Sequence, residues 1–146
     1  MEERLNDTAE LLKECNAGSK MAVDAIDQIL PMTQSEELRR LLNDNKDKHA
    51  VLGEKIHSEL NKNGESEQDP PMMAKAMAHV TTSMKMMIKP TDQEVASIIT
   101  DGCNMGIKSL HEYLNQYKGA EPEARKLTSE LSDLEASLME NLQPYL

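Results

Sequence analysis

Apolar residues recur every three or four positions along most of this chain, and four breaks divide the pattern into five helical segments. The first, about 2–30, threads Leu5, Thr8, Leu12, Cys15, Ser19, Ala22, Ile26 and Ile29 on one face, and Pro31 closes it. The second, about 34–62, opens with Thr33 or Ser35 as cap, Glu36 and Glu37 in its first turn, and a seam of Leu38, Leu42, Asn45, His49, Leu52, Ile56 and Leu60. Both stripes are bulky at their ends and small or polar in the middle. The short turn between them requires an antiparallel hairpin, which sets the two polar middles at one depth.

Residues 61–71, NKNGESEQDPP, form the predicted flexible loop. A third, methionine-rich segment follows over about 72–89 and ends at Pro90. Its methionines keep helical spacing, which reads as a plastic core-filling helix rather than a soft-metal site or an adaptable groove. The fourth segment, about 91–117, is capped by Thr91 and carries Val95, Ile98, Ile99, Gly102, Met105, Gly106, Leu110, Tyr113 and Leu114. The fifth, about 122–142, starts at Pro122, a residue preorganised for a first helical position, and has a leucine seam. Gly18 and Ser19 are expected to lie near Gly102 and Gly106. Small residues there would let two helix axes approach nearer than the usual roughly 8–10 Å, or leave room for something between them.

The outer hairpins echo one another. Cys-Asn-Ala-Gly-Ser-Lys at 15–20 matches Cys-Asn-Met-Gly-Ile-Lys at 103–108, an offset of 88. Ser-Glu-Glu-Leu-Arg-Arg-Leu at 35–41 matches Glu-Pro-Glu-Ala-Arg-Lys-Leu at 121–127, an offset of 86. Two such hairpins joined by the third segment predict an all-α, antiparallel four-helix bundle with a crossover helix, one domain over 1–146. Composition agrees: no Trp, no Phe and three Tyr leave little with which to build a β-sandwich core.

A net charge of −10 disfavours nucleic acid and anionic membrane, which are bound chiefly through Lys and Arg. No apolar run approaches the roughly 20 residues of a membrane span. The charged start, MEERLNDTAE, lacks a signal-peptide core, so Cys15 and Cys103 are expected to be reduced, buried thiols in a cytoplasmic protein. No phosphate-cradling glycine loop, Cys-x-x-Cys or nucleophile elbow is present.

With the G-C-N-M-G-I stretch at 102–107 as its most specific point, the arrangement resembles the ferritin-like superfamily, and more narrowly the small ferritin-like bundle proteins of low-GC Gram-positive bacteria. In metal-binding members each hairpin supplies a Glu from its first helix and a Glu-x-x-His from its second, and the carboxylates hold two irons. This chain departs from that pattern. Lys46 stands three before His49 and Lys108 three before His111, and the fifth segment has no His, with Ser132 and Glu135 at the depth of Lys46 and His49. The resemblance therefore implies the fold with a degenerate metal motif, and no cofactor is expected. His49 reads as a neutral core histidine bonded to Asn45, Asn16 or Ser19 across the first hairpin. Asp24, Asp27, Asp44 and Asp47 read as a solvated acidic face, and His57 and His79 as flank positions. The first functional reading is a non-catalytic bundle acting through self-association or a protein partner. The alternatives are a metal- or small-ligand-binding bundle using His49, Asn45, Asn16, Ser19, Glu135 and His111 in the polar mid-layer, or a di-iron oxidoreductase.

Overall fold

The computed structural model describes residues 2–64 and 90–146. The predicted methionine-rich helix, with His79, and most of the predicted loop lie outside the described residues. Four helices make up the rest: α1 (Glu2–Ile29), α2 (Glu36–Lys62), α3 (Asp92–Gln116) and α4 (Pro122–Leu142). Single 3₁₀ turns follow α1 at Leu30–Met32 and α4 at Gln143–Tyr145.

The ends of the helices follow from a few side chains. Ser35 rather than Thr33 caps α2, its hydroxyl accepting from the Leu38 amide at 3.3 Å, while Thr33 donates back to the Ile29 carbonyl at 3.1 Å. Thr91 caps α3 by accepting from the Glu94 amide at 3.2 Å. Asp92 then fixes the two hairpins at one end, because its carboxylate accepts from the amides of Gln34 (2.8 Å) and Ser35 (2.9 Å) in the α1–α2 turn. At the opposite end Asp7 and Thr8 of α1 accept from the amides of Gly119 (2.8 Å) and Glu121 (2.9 Å). The chain leaves α2 through Gly64 at φ +72°, a left-handed conformation in which glycine carries no Cβ penalty.

Helix directions can be read from paired residues. Asp27 meets Lys46 while Ser19 lies against Gly53, so α1 and α2 are antiparallel. Glu135 lies against Gly106 and Ser132 reaches His111, so α3 and α4 are antiparallel. Cys15 touches Thr128 and Gly18 faces Leu131, a constant offset of 113 that makes α1 and α4 parallel. It follows that α2 and α3 run parallel, the topology of a four-helix bundle with a crossover.

The interior is divided in two. One apolar cluster gathers Leu11, Leu12, Leu52, Ile56, Leu127 and Leu131 with their neighbours; the other gathers Ile26, Ile29, Leu38, Val95, Leu138 and Leu142. Between them lie the buried polar residues Asn16, Ser19, Asn45, His49, Ser132 and Glu135. Contacts within each hairpin, and between α2 and α4, are denser than those between α1 and α3. That looser face is where the site lies.

Candidate functional site

His49 reaches the centre of the bundle from the middle of α2 and is 1% exposed. Its Nδ1 lies 3.0 Å from the carbonyl oxygen of Asn45, one turn earlier. A carbonyl only accepts, so Nδ1 carries hydrogen and donates. Nε2 faces α4, where it stands 3.6 Å from Oε1 of Glu135. That separation is an ion-pair distance and too long for a hydrogen bond. With Nδ1 committed, an unprotonated Nε2 and an ionised carboxylate would face each other with lone pairs alone.

The expectation for His49 is corrected in its second half. Asn45 is its partner, through the backbone carbonyl, but the other ring nitrogen leaves the α1–α2 seam and addresses Glu135. The offset of Glu135 from His49 is 86 residues, the same as that between the matching starts of the two hairpins. Corresponding positions of the two hairpins thus meet at the bundle centre.

Gly106 decides where the carboxylate sits. A Cβ built on Gly106 would fall onto Oε2 of Glu135 and 3.0 Å from its Cδ. The absent side chain on α3 is the space the carboxylate fills. Oε2 is buried there without a hydrogen-bond partner, as are Nε2 of His49 and Oδ1 of Asn45. The Asn45 amide nitrogen only reaches the Leu134 carbonyl, at 3.5 Å. Three orphaned polar atoms in one layer are unusual for a packed interior.

The close approach expected of Gly18 and Ser19 to Gly102 and Gly106 does not occur. Ser19 packs on Gly53 of α2, Gly18 faces Leu131 of α4, and nothing lies within 4 Å of a Cβ placed on Gly102. The small residues instead leave a cavity of about 240 Å³ between α1 and α3. Ala17, Ala22, Ile98, Ile99, Met105 and Leu138 supply apolar wall, and His49 and Glu135 form part of it. Glu14 and Tyr113 line it as well and influence each other's titration. Burial holds the Glu14 carboxyl above its ordinary range, with the Tyr113 hydroxyl opposing the shift, and pushes the Tyr113 hydroxyl up to about 12. His49 also borders a shallow groove between α1 and α2 with Ser19, Asp24 and His57.

The remaining expected residues are placed as follows. Asn16 and Ser19 are buried in the same layer on α1, and Ser19 donates to the Asn16 carbonyl at 3.0 Å. His111 is exposed on α3, its Nε2 3.4 Å from the Ser132 hydroxyl, and does not enter the centre. The four aspartates are exposed, Asp27 pairing with Lys46 at 2.9 Å. Reading the sequence passed over two features, the Glu14–Tyr113 pair and the role of Gly106; room between the helices was the alternative to close approach that the small residues of α1 and α3 offered.

Both cysteines are free and buried. Thr128 spends its hydroxyl hydrogen on the Ala124 carbonyl at 2.8 Å, so the Cys15 thiol donates to Thr128 Oγ1 at 3.1 Å. Burial pushes Cys15 up to about 12, and burial followed by the Glu135 carboxylate pushes Cys103 up as well. Raised native values favour the protonated thiols, so their contribution to stability is complete below about 9 and is lost as pH rises toward 12. The urea midpoint should fall between pH 8 and 9.5 by about 1–2 kcal/mol of stability. A Cys15→Ala/Cys103→Ala variant should lose less over the same interval. A midpoint that is flat with pH in the parent would contradict the burial of both thiols.

The iron chemistry of the fold family can be tested against these donors. Lys46 is tied to Asp27 on the surface, and Lys108 stands exposed 3.8 Å from Glu112. Neither position offers the carboxylate the motif needs. Among the described residues, no three His, Cys, Asp or Glu side chains are grouped to hold an ion. Among the described residues, one imidazole and one carboxylate at the centre do not fit two irons.

The helices and their order define a ferritin-like four-helix bundle. The chain is similar to the crystal structure of Dps92 from Deinococcus radiodurans, with a TM-score of 0.78 and 12% identity over 100% of this chain and 88% of that one. No family model matches the sequence, and no curated protein matches it. No described helix is long and apolar enough to cross a membrane.

Proposed function

We propose that this bundle is a binding protein whose guest is a small, chiefly apolar molecule seated between α1 and α3. The observation that carries this reading is the cavity of about 240 Å³, apolar on its walls and bordered by the buried His49–Glu135 pair. Aliphatic cavities of about 150 Å³ stay dry and take up benzene. By that scale this one holds a guest of roughly ten non-hydrogen atoms. A bundle that needed only to fold would gain from filling such a space, since lost contacts cost stability in proportion to cavity volume. A redox role at a di-iron centre finds no matching donor set among the described residues. Association with itself or another protein is the second reading; it rests on Val51, Met105 and Leu146, which are large, apolar and exposed but stand on separate elements.

Benzene titrated into methyl-labelled protein provides the test. Methyl resonances of Ile98, Ile99 and Leu138 should shift saturably, while those of Leu42 and Leu60, deep in the two cores, stay in place. Uniform, non-saturating shifts would sink the reading.

A further inference from the structure

We infer that the guest is an amphiphilic amine, its apolar chain lying between α1 and α3 and its ammonium against the carboxylate of Glu14, beside Tyr113. This rests on the binding reading above and names the chemical class of its ligand. The cavity is long and its two ends are unlike. Its lining runs along α1 from Glu14 to Ile26 and along α3 from Ile98 to Tyr113, roughly 20 Å at about 1.5 Å per residue. Because α1 and α3 are antiparallel, Glu14 and Tyr113 share one end, while Ala25, Ile26, Ile98 and Ile99 make the other. A wall that is polar at one end and apolar at the other fits a guest with a single head group. Glu14 and Tyr113 each keep part of their surface open, so a head group can reach them. Oε2 of Glu135 offers no such contact, being buried against Gly106.

Charge selects the head group. The lining contains no Lys or Arg. Glu14 responds to burial, then to Tyr113, then to the Glu10 carboxylate, and among the described residues no cation offsets it. Glu10 has its own partner in Lys13, at 3.6 Å. Burial, then Glu10, Glu14 and Asp7, hold the Tyr117 hydroxyl above its ordinary range, so three carboxylates act on this end of α3. Arg125 of α4 is spent on the carbonyls of Leu114 and Tyr117, at 3.1 and 3.3 Å, and does not line the cavity. An anionic head group would add a further negative charge here. An alcohol would fill the space and leave the Glu14 carboxylate without a counter-charge. An ammonium brings both the donors and the missing positive charge. The His49–Glu135 pair lies further along: Glu135 packs on Gly106, about 10 Å from Tyr113 along the helix. The head group is therefore chosen at Glu14.

The test uses three compounds with one eight-carbon chain, n-octylamine, 1-octanol and octanoate, at pH 7, followed through the same methyl resonances. The amine should bind at least about tenfold more tightly than octanoate, a difference of about 1.4 kcal/mol, and at least about threefold more tightly than octanol. Glu14→Gln keeps the size of the side chain and removes its charge. In that variant affinity for octylamine should fall about tenfold, while octanol and benzene stay within about twofold, since only the charge-assisted contact is lost. Retained benzene binding shows that the variant has kept its cavity, and the ranking in the parent stands without the variant. Octanol or octanoate binding as tightly as octylamine in the parent would overturn the inference. So would octylamine binding that is absent, or equal in parent and variant, while benzene still binds. Failure of benzene and all three octyl compounds together would remove the cavity reading itself, and the inference with it.

Discussion

His49→Leu should lower the stability of this protein by about 3 kcal/mol, and adding Glu135→Met should recover most of that loss. The two groups stand 3.6 Å apart, with side-chain exposures of 1% and 11%. Leucine matches the bulk of the ring and keeps the apolar wall, so the substitution removes the imidazole facing Glu135 with little change in packing. What remains is a carboxylate with no counter-group in an apolar layer. Removing one member of a fully buried pair costs about 3–5 kcal/mol, and the border with the cavity places Glu135 at the lower end. For a chain of this length the melting temperature should fall by about 6–12 °C.

The double variant separates this account from a simple packing loss. Replacing both members of a buried pair with apolar residues of similar volume is often neutral or stabilising. If the single variant melts like the parent, the pair contributes nothing. If the double variant melts as low as the single one, the cost lies in leucine packing and the pair is again irrelevant. Calorimetric melts of the parent, both single variants and the double variant decide between these outcomes.

The fold class was open to reading because it rests on a signal repeated many times. Each stripe repeats its spacing over seven or eight positions, and Pro31, Pro90 and Pro122 punctuate it. The polar mid-layer was equally visible, since Asn45 and His49 interrupt an otherwise leucine-rich seam at the depth where α1 carries Asn16 and Ser19. Glu135 could be assigned to that depth by counting along α4. Its pairing with His49 could not, because depth along a helix does not fix which neighbour a side chain faces. The small residues were ambiguous for a different reason. Glycine and alanine on facing helices serve equally for close approach and for a void, and the choice depends on how the other two helices hold the pair apart. Here α1 also packs along α4, with Cys15 bonded to Thr128 and Gly18 on Leu131, and the space opens toward α3. The lysines preceding His49 and His111 are visible in the sequence as departures from a Glu-x-x-His spacing. An ammonium cannot ligate a metal, and both are placed at the surface beside acids.

Gly106→Ala should destabilise the parent by about 1–2 kcal/mol yet stabilise a Glu135→Ala background by about 1 kcal/mol. Glycine inside a helix is unfavourable by about 1 kcal/mol relative to alanine, so on propensity alone the substitution should help at any exposed helical site. At 106 the new Cβ would land on the Glu135 carboxylate, which cannot stay where it is. It must swing into the α1–α3 cavity, losing its place beside His49 and taking up the room meant for a guest. Overpacking of this kind costs about 1–3 kcal/mol, enough to outweigh the gain in propensity. Once Glu135 is cut back to alanine the obstacle is gone and the propensity term alone remains. The coupling between the two positions should therefore be about 2–3 kcal/mol, at the upper end for residues in direct contact. Urea melts of the four proteins in the cycle measure it. Additive effects, with Gly106→Ala shifting stability equally in both backgrounds, would show that the carboxylate does not occupy the space glycine leaves. Benzene binding gives an independent reading of the same geometry: the displaced carboxylate should abolish it in Gly106→Ala, and Gly106→Ala/Glu135→Ala should restore it.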